Sequence, residues 1–242
     1  MRRWLVTGAG SGIGRAVAEL AGEAGDAVAL VGRRELTEAA AAVEKAGGTA
    51  VPIQADLAAP DGPDTVAVAA REGLGGPVDV LVNSAALHVG GRLASLSDED
   101  YRAVLEIGLV SPFRLIRAVA AAMEPGGAVV NIGAVVGLRG FPGDSPYGSA
   151  KGGLAGLTKV LGVELARQGI TVNLVVPGFT DTEMTEEVDD VAKERIVRSI
   201  PLRRTAAPVE IARVVHWVAA TPYMTGAVIP VDGGLMAGFG TS

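Results

Sequence analysis

The sequence predicts a doubly wound α/β fold, a parallel sheet with helices on both faces. Two observations carry this expectation. Seven short, nearly continuous apolar runs alternate with longer helix-period stretches along all 242 residues. Strands that are apolar at almost every position are those covered on both faces, and strand–helix alternation returns each strand parallel through a right-handed crossover. No linker or shift in composition interrupts the pattern, so residues 1–242 read as a single domain.

Taken in order, the first strand (4–6) runs into VTGAGSGIGRAVAEL, which leads to a helix at 13–24. Thr7, Gly8, Gly10, Ser11, Gly12, Ile13 and Gly14 fall in this turn. Glycine permits positive φ and close approach of backbone N–H groups, and a helix N-terminus attracts phosphate. A plain strand-to-helix turn needs fewer glycines, so a dinucleotide is expected here. The second strand (27–31) ends in Gly32-Arg33-Arg34, where an acidic residue commonly binds a ribose 2′-hydroxyl. A guanidinium fork suits a 2′-phosphate instead, which predicts NADP(H) with Arg33 as its main contact. The alternative is that both arginines are solvated turn residues.

A helix at 36–46 leads to the third strand (50–53), after which Asp56 and Leu57 are set to meet the adenine edge. A helix at 64–73 leads to the fourth strand (78–83), ending at Asn83, which is expected to brace the cofactor site beside Ala85. A long helix is expected over 98–123, then a fifth strand (128–132) ending at Gly133-Ala134. The helix at 146–167 carries Tyr147 and Lys151, four apart and so on one face, with Ser145 as the expected N-cap. The sixth strand (171–176) ends in Pro177-Gly178, followed by a helical stretch at 182–199. A last helix (209–220), on which His216 is expected to be packed, precedes the seventh strand (228–231). The candidate segments thus gather at the carboxyl ends of the strands, where open α/β sheets bind ligands.

Composition narrows the function. Hydrophobic residues make up 49% of the chain and the mean hydropathy is +0.37, which indicates a large buried core. A net charge of −6 and a pI near 5.0 argue against a general nucleic-acid binder. There is no cysteine, and the two histidines form no cluster of metal-ligand spacing. With the first strand starting almost at Met1 and no apolar run of membrane-spanning length, the expected location is the cytoplasm.

With Thr7-Gly8-x-x-x-Gly12-Ile13-Gly14, Asn83-x-Ala85, Tyr147-x-x-x-Lys151, Pro177-Gly178 and Asp232-Gly233-Gly234 in this order, the chain resembles the short-chain dehydrogenase/reductase family. It is most similar to the bacterial 3-oxoacyl-carrier-protein reductase branch. The resemblance runs end to end and implies a seven-stranded Rossmann sheet, usually assembled as a tetramer. It implies that hydride passes from the nicotinamide to a carbonyl carbon while Tyr147 protonates the oxygen. Lys151 would hydrogen-bond the nicotinamide ribose and favour the phenolate, making Tyr147 a stronger acid. Thr180 and Thr182 would bind the nicotinamide carboxamide or the phosphates as a lid at 179–204 closes, and Phe179, Met184 and Val188 would form an apolar ceiling.

Two family positions are altered. The serine that orients the substrate carbonyl is Ala134, thirteen positions before Tyr147, and the asparagine that holds a relay water is Gly108. Losing one donor to a developing oxyanion typically costs about 10²–10³ in kcat. His88, in the loop after the fourth strand, is a candidate donor to a substrate oxygen, and Asp144 a candidate for reaching the same cleft; each has the alternative of a solvated loop residue. The acidic lid residues Glu183, Glu186, Glu187, Asp189 and Asp190 suit an acidic carrier protein poorly and read best as a solvated face. The expected function is NADPH-dependent reduction of a ketone or related carbonyl, polyketide-like or acyl, free or carrier-bound, in a homotetramer. The alternative is a weakly active or non-catalytic subunit that pairs with an intact ketoreductase in a hetero-oligomer.

Overall fold

Strand residues point alternately to the two faces of a sheet, so continuous apolar strands must meet a hydrophobic layer on each side. The computed structural model, which describes residues 1–186 and 188–238, has this arrangement. Strands β1 (Arg3–Thr7), β2 (Ala27–Gly32), β3 (Thr49–Gln54), β4 (Val80–Asn83), β5 (Ala128–Ile132), β6 (Thr171–Pro177) and β7 (Val228–Val231) form one sheet. All described pairings are parallel, in the order β3-β2-β1-β4-β5-β6-β7. This is the expected seven-stranded Rossmann sheet.

The helices divide between the faces. Trp4 and Val6 of β1 look towards α1 (Gly12–Glu23) and α9 (Pro208–Ala219), where Val17, Ile211 and Val215 are fully buried. Leu5, between them, looks the other way, into a layer that includes Val66 of α3 (Gly62–Gly73) and Leu115 and Ile116 of α5 (Ser111–Ala120). Each such aliphatic side chain contributes roughly 1.5–3 kcal/mol on burial. Helix α2 (Thr37–Ala46) completes the first layer through Ala39 and Val43. His216 is packed as expected: it stacks on Trp4 with ring centroids 4.3 Å apart and bonds the Val17 carbonyl at 3.0 Å. Among the described residues, no helix is long and apolar enough to cross a membrane.

Three local expectations are corrected. The helix expected over 98–123 is interrupted: α4 (Asp98–Leu105) passes through a wide π turn (Glu106–Val110) into α5. Pro112 has no N–H to give the Gly108 carbonyl four residues back, while the Ser111 N–H bonds Glu106 five residues back. The apolar periodicity across this region hid the break. The helix expected over 182–199 is two helices, α7 (Glu183–Glu186) and α8 (Asp190–Ser199). Asp189 starts the second by accepting the Ala192 N–H at 2.9 Å. Glu187, of the acidic lid run, lies outside the described residues. Finally, Ser145 is the first residue of α6 (Ser145–Glu164) rather than its cap; Asp144 takes the cap position and its carboxylate is turned elsewhere.

Candidate active site

A cleft of about 1250 Å³ opens at the carboxyl ends of the strands and is mostly apolar in lining. Its floor at one end is the turn after β1. Gly8 and Gly12 sit at φ +65° and +55°, a left-handed backbone that favours glycine. A Cβ on Gly8 would stand 3.0 Å from the Ala85 backbone, and one on Gly14 only 2.3 Å from the Gly8 carbonyl. Gly14 therefore serves the packing of α1 against β1 and does not line the cleft, whereas Gly8, Gly10, Ser11, Gly12 and Ile13 do. The first turn of α1 carries no acidic residue, and the Ser11 side chain does not cap it. A glycine cradle at a helix N-terminus fits the diphosphate of a dinucleotide, although Thr182 and Glu183 approach it at Gly12 and Ser11.

Thr7 and Asn83 act from beneath. Thr7, 1% exposed, accepts the Ser84 and Ala85 N–H groups at 3.0 and 3.1 Å, which ties the end of β1 to the loop after β4. The Asn83 amide donates to Asn131 at 2.8 Å, and Asn131 donates to Thr158 of α6 at 2.9 Å. This buried chain connects two strands to the helix that carries Tyr147. Neither Asn131 nor Thr158 was singled out from the sequence, although a lone asparagine in the apolar run VVNI was a visible signal.

At the end of β2, exposed Arg33 lines the cleft and also an adjoining cavity of about 720 Å³ that includes Asp56. Asp56 accepts the Ala58 N–H at 2.9 Å and does not line the main cleft, where Leu57 does. Arg34 is engaged by α7: its guanidinium pairs with Glu183 at 2.5 Å.

At the other end, Tyr147 and Lys151 stand one turn apart on α6. The Lys151 ammonium lies 5.5 Å from the centre of the Tyr147 ring and donates to the Ile132 carbonyl at 2.7 Å. Burial pushes the Lys151 pKa down to about 8. Burial, and after it the charge of Asp144, pushes the Tyr147 phenol up from its ordinary value. The expected pull of Lys151 on the phenol is therefore outweighed in this structure, because desolvation disfavours charge on both groups. A Tyr147 that keeps its proton at neutral pH is in the form a proton donor requires.

Ala134, half-buried, lines the cleft with Tyr147 and offers only a methyl group. Gly108 lies behind α6, where a Cβ would stand 2.9 Å from that of Ala150. His88 and Asp144, which come from loops far apart in sequence, meet here: Nε2 of His88 is 2.9 Å from the Asp144 carboxylate. The segment after β6 supplies Phe179, Thr180, Thr182 and Met184 to the cleft beyond Pro177 and Gly178. A Cβ on Gly178 would come 2.7 Å from the Asp232 backbone, which explains the glycine at that crossing. This segment is tied back by the Phe179 carbonyl, which accepts the Ala206 N–H at 2.9 Å, and by Thr185, which donates to the Thr180 carbonyl. Arg139, Phe141 and Arg195 also line the cleft and were not foreseen, since nothing in their sequence context sets them apart.

Comparison with known proteins gives consistent results. A family model described as Enoyl-(Acyl carrier protein) reductase matches residues 8–236. The 3-oxoacyl-acyl-carrier-protein reductase of Homo sapiens is 37% identical over 232 residues, covering 95% of this chain and 96% of its own. A double variant of a Serratia marcescens short-chain dehydrogenase/reductase superposes with a TM-score of 0.92 at 32% identity, with 97% of each chain covered. A blue fluorescent protein from a metagenomic library, solved in complex with NADPH, superposes with a TM-score of 0.92 at 33% identity, again over 97% of each chain.

Proposed function

The chain belongs to the short-chain dehydrogenase/reductase family, and we propose that it is an NADPH-dependent reductase of ketones or related carbonyl compounds, including 3-oxoacyl compounds. The observation that carries this reading is the shared cleft: the glycine cradle at one end, and Tyr147 one helical turn from Lys151 at the other. The NADPH-bound structural neighbour and the 3-oxoacyl reductase relative support the choice of cofactor and of substrate class.

In this reading the cradle holds the diphosphate, Arg33 and Arg34 take the 2′-phosphate, and Lys151 and Thr180 orient the nicotinamide half. When bound, the reduced nicotinamide supplies a hydrogen with its electron pair to the carbonyl carbon. The C=O π electrons move to oxygen, and the Tyr147 hydroxyl gives that oxygen its proton, so the product is an alcohol. The apolar lining excludes water from this exchange and strengthens the local electrostatics. Lys151, buried beside the phenol, balances the charge left on Tyr147 until a solvent proton replaces the one given up.

The exposed outer face of α6, with Val160 and Val163 62% and 77% exposed, supports assembly with further copies or with an intact relative. The deciding experiment uses the purified chain alone, with NADPH or NADH and a panel of ketones. NADPH oxidation that falls about 10²–10⁴-fold in Tyr147→Phe is expected. NADPH binding with no turnover by the unmodified chain, restored by a co-expressed relative, would favour the non-catalytic subunit instead.

A further inference from the structure

His88 and Asp144 form a built pair rather than a chance surface contact. The His88 ring sits edge-on to the Tyr147 ring, with centroids 5.3 Å apart and planes at 82°. Its Nε2 is held 2.9 Å from Asp144 Oδ1, with the carboxylate side chain only 17% exposed. The two loops that carry the pair are joined beside it by a backbone hydrogen bond, Gly91 N–H to the Gly143 carbonyl, at 2.9 Å. Gly90 lies over the pair, where a Cβ would stand 3.2 Å from the imidazole and 3.6 Å from the carboxylate.

Asp144 also gives something up. It occupies the N-cap position of α6 yet makes no side-chain cap bond. A capping aspartate is typically worth about 1 kcal/mol to a helix. The sequence forgoes that contribution and spends the carboxylate on orienting an imidazole that lines the same cleft as Ala134 and Tyr147. A carboxylate held on one ring nitrogen fixes the direction of the imidazole.

We propose that His88, oriented by Asp144, hydrogen-bonds the substrate carbonyl oxygen in the role that a hydroxyl at position 134 would otherwise fill. The inference rests on the reductase reading above and adds one catalytic residue, His88, and one positioning residue, Asp144. With Nε2–H given to Asp144, the donor to the substrate oxygen is Nδ1–H, so His88 acts in its doubly protonated form and keeps both protons throughout. The proton on the new hydroxyl comes from Tyr147, and His88 stabilises the charge that builds on the oxygen before that transfer.

The test compares the full-length unmodified chain with His88→Ala, Asp144→Asn, Ala134→Ser and the double variant His88→Ala/Ala134→Ser. Ethyl acetoacetate, a simple 3-oxoacyl ester, is the probe, and NADPH affinity is measured separately by fluorescence titration. His88→Ala is expected to lower kcat about 10²-fold with an unchanged NADPH Kd. Asp144→Asn lowers it less. Adding Ala134→Ser to His88→Ala restores most of the loss, whereas Ala134→Ser alone gains little because the role is already filled. Independently of turnover, ¹⁵N NMR of the chain, which has only two histidines, is expected to show His88 carrying a proton on both ring nitrogens, a state lost in Asp144→Asn.

Unchanged kcat in His88→Ala, or an equal gain from Ala134→Ser with and without His88, overturns this inference and leaves the reductase reading standing. A His88 ring with a proton on one nitrogen alone overturns the donor role, and a protonation state unchanged in Asp144→Asn overturns the positioning role. Absence of turnover in the unmodified chain and in Ala134→Ser, with NADPH bound, overturns both readings together.

Discussion

Gly108 and Ala150 pack so closely that a Cβ on Gly108 would stand 2.9 Å from the Ala150 Cβ, inside normal contact. The π turn before Pro112 brings this backbone against α6 one residue from Lys151. Restoring the family's asparagine at position 108 is thus an overpacking change in a buried spot. Gly108→Asn is expected to destabilise the chain by about 1–3 kcal/mol in urea denaturation. Adding Ala150→Gly recovers part of this despite its own helix-propensity cost of about 1 kcal/mol. Equal stability of Gly108→Asn and the unmodified chain would show that α6 yields easily.

The buried lysine predicts a pH dependence of stability. Below about pH 8 the Lys151 ammonium is charged in both folded and unfolded chains, so its burial penalty is fully present. As pH rises from 8 towards the ordinary value of 10.5, the folded chain loses the proton first and stability rises. Tyr147 opposes this above pH 10, where the unfolded phenol ionises and the folded one does not. Between pH 7.5 and 9.75, unfolding free energy should therefore gain roughly 2 kcal/mol relative to Lys151→Met, at about 1.4 kcal/mol per unit. A constant difference between the two proteins would contradict the burial of the ammonium.

The ion pair between Arg34 and Glu183 of α7 competes with any phosphate that approaches Arg34. Both side chains are exposed, so the pair is weak and screened by salt. Glu183→Gln is expected to tighten NADPH binding about 2–5-fold at low salt, an effect that fades by ~0.5 M salt. Arg33→Ala should weaken NADPH about tenfold or more while leaving NADH affinity nearly unchanged. Equal losses for both nucleotides would assign Arg33 to the turn rather than to the 2′-phosphate.

Asn131 holds the middle of the chain from Asn83 to Thr158. In Asn131→Ala the buried Asn83 amide loses its acceptor, while Thr158 still donates to the Leu154 carbonyl at 2.8 Å. A loss of about 2–3 kcal/mol in chemical denaturation is expected from the unpaired amide and the small cavity. If Tyr147 depends on this brace, kcat falls at temperatures well below the melting transition.

Much of the molecule was legible in the chain itself. Nearly continuous apolar runs such as VVNI and AVALV, alternating with helical stretches, point to parallel strands between two layers, and the glycines at 8, 12 and 14 mark a turn that larger residues could not make. The helix at Asp98 was read too long because hydrophobic periodicity persists through a π turn, and the signal that mattered was a missing N–H at Pro112. Asp144 was visible as a candidate cleft residue but not as the residue at the helix cap, since aspartate and serine both favour that position.

What the sequence by itself determined was the order of the strands along the chain, the two-sided core, the cradle, and the spacing of Tyr147 and Lys151, because these follow from local periodicity and backbone sterics. Tertiary structure alone decided which distant residues meet: His88 with Asp144, Asn83 with Asn131 and Thr158, Arg34 with Glu183, and Gly108 with Ala150. Such partnerships arise when crossovers bring loop ends together at one edge of the sheet. They leave no periodic trace, since each joins residues between 27 and 149 positions apart.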